Sequence, residues 1–304
     1  VSAEGRPDRT PVTTNDSYYG LPIVKEPAWQ QPDVPLYLFL GGVAGVSASM
    51  AALARPLGRD ALAKLGTVTA ATGSVASLGA LIHDLGRPAR FLYMLRVFKP
   101  TSPLSVGSWI LAPFSALASM SATSVLTGKF RTVGALAGAV AGILGPAMST
   151  YTAVLLADTA TPAWHEAYRE LPVVFAGSAM TSAAGVALIA LPKRDSAPVS
   201  RLAAVGATAE LAAAHRLRTR LGIISETYRV GRAGSLLKAV EVLTGAGVAL
   251  TATGRTSRIA RALAGGAYLA AGLCTRFGVY AAGVASTRDP KYVVEPQRER
   301  RGRV

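Results

Sequence analysis

Residues 171–191 read LPVVFAGSAMTSAAGVALIAL, 21 positions without a charged side chain. A helix of that length rises about 30 Å, the thickness of a bilayer's hydrocarbon core. Once would be an accident, but the pattern recurs. Comparable runs occupy residues 35–54, 62–82, 106–126 and 133–157 before it, and 236–254 and 259–285 after it. Residues 199–214 form a shorter run containing Glu210, a carboxylate that a span tolerates where it faces protein or water. The expectation is an all-α integral membrane protein, a bundle of about eight transmembrane helices. It lies between a polar, proline-rich arm (1–34) and a charged tail (286–304).

Composition agrees. Half of the 304 residues are hydrophobic and 16% are charged, against roughly a quarter in soluble domains. The net charge of +15 could suggest nucleic acid, but the Lys and Arg residues lie between the apolar runs, as in membrane-protein loops. No nucleic-acid partner is expected; membrane lipid is. The lone Cys274 sits in an apolar run and reads as a packing residue, and no cysteine cluster is present to hold an iron–sulfur centre or a structural zinc. The three histidines stand near helix ends, unsuited to the facing axial pairs of a membrane di-haem cytochrome, so no haem is expected. No cleavable leader is read in the arm, and the first span is expected to act as its own insertion signal.

With eight spans both termini share one side. Connections on that side, counted with the adjoining span ends, hold 20 Lys and Arg residues, against 11 on the other. The positive-inside rule then makes both termini cytoplasmic.

The chemistry concentrates in loops and in a few intramembrane polar groups. His83-Asp84-Leu85-Gly86-Arg87-Pro88-Ala89-Arg90-Phe91 follows the second run. Then come Phe98-Lys99-Pro100-Thr101-Ser102-Pro103 and Gly107-Ser108-Trp109. Asp84, three residues before Arg87, reads either as an ion-paired turn between two helices or as an acid that exchanges protons at the rim of a pocket. Tyr37 and Tyr151 fall near the terminus side of their spans. Each reads as a hydrogen-bond donor without a charge or as an interfacial anchor. Glu210 and Arg276 read as an ion pair inside the bundle, with a proton path through Glu210 as the other possibility. Arg216, Arg218, Arg220, Arg229 and Arg232 make a basic loop for anionic lipid or an acidic partner.

Taken together, Tyr18-Tyr19-Gly20-Leu21-Pro22, the small-residue first span, DLGRPARF at 84–91, FKPTSP at 98–103, GSW at 107–109 and YTAVLL at 151–156 resemble the NrfD/PsrC family. So do Pro162-Ala163-Trp164, Leu171-Pro172 and, in the tail, Asp289-Pro290-Lys291-Tyr292. The family comprises the membrane subunits of polysulfide-reductase-type molybdenum enzymes. The resemblance implies an eight-helix subunit in a bacterial plasma membrane, without a catalytic centre of its own. It would bind menaquinone or ubiquinone and dock a four-cluster, ferredoxin-like iron–sulfur subunit joined to a molybdopterin catalytic subunit, in anaerobic respiratory electron transport. Carried over residue by residue, Tyr151 would contact the quinone carbonyl and Tyr37 the headgroup, in the polysulfide-reductase member's case a histidine. Asp84 and Trp109 join them at the quinone site, while Arg87, Pro88, Arg90, Pro103 and Arg276 are expected to shape the scaffold. A passive anchor, or an ion- or proton-translocating protein without quinone chemistry, remains the alternative.

Overall fold

The computed structural model describes residues 23–87, 89–253 and 257–301. The arm motif at 18–22 and Pro88 lie outside them. Among the described residues eight long helices run in alternating directions: α1 (Asp33–Ala54), α2 (Asp60–Asp84), α4 (Pro103–Thr127), α5 (Arg131–Ala157), α7 (Leu171–Ala190), α8 (Ser196–Arg220), α9 (Gly231–Thr253) and α10 (Arg258–Arg288). Short helices α3 (Ala89–Met94) and α6 (Pro162–Glu166) lie in loops, and α11 (Lys291–Arg301) follows the last span. No strand is present among the described residues. The tail, expected as a charged extension, is largely this helix.

Seven of the eight are long and apolar enough to cross a membrane. The exception is α8, which is as long as α2 at 25 residues but carries Arg201, Glu210, Arg216, Arg218 and Arg220. Its three C-terminal arginines gather in the last turns, at the end of the bundle, so its apolar stretch ends where the short run suggested.

Helices α1, α2, α4 and α5 pack as one group and α7 to α10 as another, with α1 in the seam against α2, α5, α7 and α10. Such helices are apolar all round, so close backbone approach replaces amphipathic burial as the organising force. At the α1–α5 crossing a side-chain carbon on Gly45 would lie 2.5 Å from the Gly145 carbonyl oxygen; at α7–α8 one on Gly177 would lie 2.6 Å from that of Gly206. Only glycine fits there.

Pro146, inside α5, cannot donate to the Gly142 carbonyl one turn back. Ser49 of α1 does so instead, its Oγ donating to Gly142 O at 2.7 Å. The neighbouring helix thus satisfies the acceptor that proline leaves open, the condition on which a membrane helix tolerates proline.

Candidate functional site

One end of the bundle collects the N-termini of α1, α4 and α7 and the C-termini of α2, α5, α8 and α10. Tyr37, in the second turn of α1, and Tyr151, in the last two turns of α5, meet there. Their hydroxyls form a hydrogen bond, and the rings are 3% and 8% exposed, too buried for interfacial anchors. Ser77 Oγ of α2 donates to the Tyr37 carbonyl at 3.0 Å. Tyr151 lies on Gly107 of α4, where a side-chain carbon would stand 2.6 Å from the ring. A glycine in the GSW stretch therefore makes room for the tyrosine.

Two phenols carry two O–H hydrogens, and their mutual bond uses one. Neither hydroxyl has another protein partner among the described residues. The pair therefore retains one donor for a third acceptor, buried at the end of the bundle.

Asp84 is half-buried at the same end, but not as the sequence suggested. Its Oδ1 accepts from the Gln30 backbone N–H at 2.9 Å, and it makes no ion pair with Arg87, which is exposed. Loop geometry separates them: Gly86, at φ +66°, turns the chain away from α2. The charge pairing falls one residue earlier, where His83 Nδ1 meets Asp33 Oδ2 at 2.8 Å and ties α2 to α1. Arg90 Nη1 donates to the Leu85 carbonyl at 3.2 Å, closing the frayed end of α2, and Phe91 is buried. Pro103 takes the first turn of α4 with Ser102 as its N-cap, Oγ accepting from Ser105 N at 3.5 Å. This is the pre-organised start that proline and serine favour. Trp109 is 40% exposed and packs edge-on against Phe98, on a flank of α4 away from the tyrosine pair.

The described part of the arm is a strap across this end. Trp29 stacks on Trp164 of α6 with ring centroids 5.7 Å apart, and its carbonyl accepts from the Tyr280 hydroxyl. Glu26 pairs with Arg288 at 2.7 Å. Trp164, fully buried, donates from Nε1 to the Val279 carbonyl at 2.7 Å.

Deeper in the bundle, Glu210 and Arg276 are each 1% exposed, on α8 and α10, but form no direct ion pair. Glu210 Oε1 accepts from Thr275 Oγ1 at 2.6 Å. Arg276 instead spans three helices. Its Nη2 donates to the Phe175 carbonyl at 2.9 Å, its Nε to the Leu38 carbonyl at 3.4 Å, and its guanidinium lies 3.8 Å from the Phe175 ring centroid. Arg276 therefore holds the carbonyl next to Tyr37's own. Glu210 Oε2 and Arg276 Nη1 lack protein hydrogen-bond partners among the described residues. A cavity of about 30 Å³, room for about one water, lies against Glu210 and Thr275.

The basic loop is largely spoken for. Glu170, 2% exposed at the start of α7, receives Arg220 through two bonds of 2.8 and 2.7 Å, with Arg216 at 3.6 Å. Arg218 pairs with Glu241, and Arg229 donates to the Arg218 carbonyl at 2.9 Å. Glu170 went unnoticed in the sequence because its partners lie some 50 residues on, on another helix. Cys274 is half-buried rather than enclosed.

Outside the spans, Lys291 of α11 reaches Glu226 Oε2 at 2.8 Å. The ammonium holds the Glu226 carboxyl below its ordinary range, and the carboxylate raises the Lys291 ammonium above its own.

Fold and site together define a polytopic α-helical membrane protein with a polar, strapped end and buried tyrosine hydroxyls. The family model for polysulfide reductase, of the NrfD type, matches residues 14–288, nearly the whole chain. The chain belongs to that family, and is a multi-pass membrane subunit that anchors an oxidoreductase complex. Among curated proteins no match to it is found.

Proposed function

We propose that this chain is the quinone-handling subunit of its complex, taking electrons from, or passing them to, an iron–sulfur subunit joined to a molybdopterin catalytic subunit. The observation that carries this reading is the Tyr37–Tyr151 pair with its spare O–H. A quinone carbonyl is an acceptor without a donor, and a phenol bonds it without the desolvation cost of a charge. Reduction to the quinol takes two electrons and two protons; the electrons come from the partner, and the protons need a titratable group near water. Asp84, at the same end, half-buried and held by Gln30, fits that role. The strapped end would be the docking face, and the Lys and Arg excess supports its lying on the cytoplasmic side of the membrane.

Binding of a quinone analogue to the purified complex tests the reading. Tyr151→Phe removes a hydroxyl and keeps the ring, so affinity should fall by about 0.5–1.5 kcal/mol, a few-fold to tenfold. Unchanged affinity and turnover would favour a passive anchor. Asp84→Asn should assemble normally and turn over quinone slowly; normal turnover would remove Asp84 from the proton route.

A further inference from the structure

At the opposite end of the bundle the α1–α2–α4–α5 group opens into a slot of about 270 Å³. Its walls are small and apolar, with Ala48, Ala51 and Ala52 from α1, Ala70 from α2, and Ala135 and Ala139 from α5. The slot continues into a wider mouth of about 530 Å³ that shares Arg55 and Ala135 with it. Lys64, Arg131 and Asp60 also line the mouth, giving three cations to one carboxylate.

The mouth's cations are free to receive a ligand. Among the described residues none of the three has an ion-pair partner, whereas Arg59, beside them in sequence, is engaged by Asp195 at 3.7 Å. Arg131 is steadied by Nε donating to the Gly128 carbonyl at 3.3 Å, which leaves its two terminal nitrogens unused.

A second observation marks the junction between slot and mouth. Ser121 lines the slot, is 1% exposed, and its hydroxyl has no hydrogen-bond partner among the described residues. Leaving such a donor unpaired is costly, so an orphan facing a cavity points to an acceptor that comes from outside the chain. Gly138 sits between this hydroxyl and Arg55: a side-chain carbon there would come within 2.6 Å of Ser121 Oγ and 3.7 Å of Arg55 Nη1. The orphan donor and the free guanidinium therefore border one space, which glycine keeps open.

We infer that this slot binds an anionic phospholipid, with an acyl chain among the alanines, the ester region at Ser121 and the phosphate facing Arg55, Lys64 and Arg131. An inorganic anion would have no use for the alanine walls. A zwitterionic lipid would carry into the mouth a cation that those three side chains oppose. The three-part order of apolar slot, neutral donor and basic mouth matches the order of groups along such a lipid. This site lies at the other membrane face from the tyrosine pair and stands independently of the quinone reading.

Native mass spectrometry of the full chain, after exchange into micelles containing phosphatidylglycerol or phosphatidylcholine with identical acyl chains, tests the site. The wild-type protein should retain phosphatidylglycerol at least tenfold better, and excess glycerol phosphate should fail to displace it. Arg55→Gln should weaken retention roughly fivefold, the effect of one basic residue near a lipid headgroup. Ala135→Phe, at an exposed position on the shared rim, should reduce it to the phosphatidylcholine level. Lys99→Gln, at the other end, should leave it unchanged. Equal retention of the two lipids by the wild type would overturn the inference, and needs no variant to fold. Displacement by glycerol phosphate would overturn it in favour of a simple anion site. Undiminished retention in Ala135→Phe would show that the lipid is bound outside the slot.

Discussion

Changing Tyr37 and Tyr151 to phenylalanine, singly and together, isolates the bond between α1 and α5. In either single variant the surviving hydroxyl is left buried without its partner, because no other protein group reaches it among the described residues. In the double variant nothing polar remains to be satisfied. Interhelical hydrogen bonds in membranes average about 0.6 kcal/mol and reach about 1.7, since the unfolded chain also finds partners there. With both rings under a tenth exposed, this bond belongs in the upper part of that range. Each single variant should therefore lose about 1–1.7 kcal/mol. The double variant should cost less than the sum of the two, with a coupling of similar size. Reversible unfolding in mixed micelles, titrated with sodium dodecyl sulfate, measures all three. Additivity within about 0.3–0.5 kcal/mol would refute the bond. The cycle also separates stability from ligand binding, because the double variant should bind a quinone analogue worst while being no less stable than either parent.

Three further outcomes are expected. Gly283→Ala places a carbon 1.9 Å from the indole of fully buried Trp164, so it should dislodge the ring and lower stability by at least the usual ~1–3 kcal/mol of overpacking; unchanged Trp fluorescence and stability would count against the packing described. Arg276→Lys keeps the charge but loses the planar stack on Phe175 and the reach to two carbonyls, and should cost about 2 kcal/mol or more in the same titration; a neutral result would show that charge alone matters. Because Lys291 depresses the Glu226 carboxyl, its contribution to holding α11 is present above the ordinary carboxylate pKa of about 4.3 and fades as pH falls through the lower folded value. The raised Lys291 ammonium sets the upper limit, its contribution fading as pH rises beyond the ordinary lysine range. Amide protection in α11, corrected for the intrinsic pH dependence of exchange, should fall at both extremes, and Glu226→Gln should show the lower protection already at neutral pH; a flat protection profile would detach the helix from this pair.

Much of this molecule was legible without coordinates. The run at 171–191 became α7 to within a residue, and most of the other spans began and ended within three residues of their runs; α8 continues six residues past 214 and α9 starts five before 236. That success has a local cause: a helix in lipid must satisfy its own backbone and cover it with apolar side chains, so each span is written in its own 20 or so residues. Pro103 at the start of α4 is local as well, since proline suits the first turn of a helix by its own geometry. The pairings were another matter. Helices that are apolar on every side carry no stripe to say which face meets which neighbour. Tyr37 finds Tyr151 across 114 positions, and Glu170 receives Arg220 across 50. The sequence suggested Arg87 for Asp84 and Glu210 for Arg276 on grounds of proximity and charge. The turn at Gly86 separates the first two, and the reach of Arg276 to the carbonyls of Leu38 and Phe175 separates the second. Sequence by itself determined that this chain is a membrane bundle and which residues could do chemistry there. Only the packing of the helices against one another decided which of them meet, because contact in an all-apolar bundle is chosen by where glycine and serine let backbones approach.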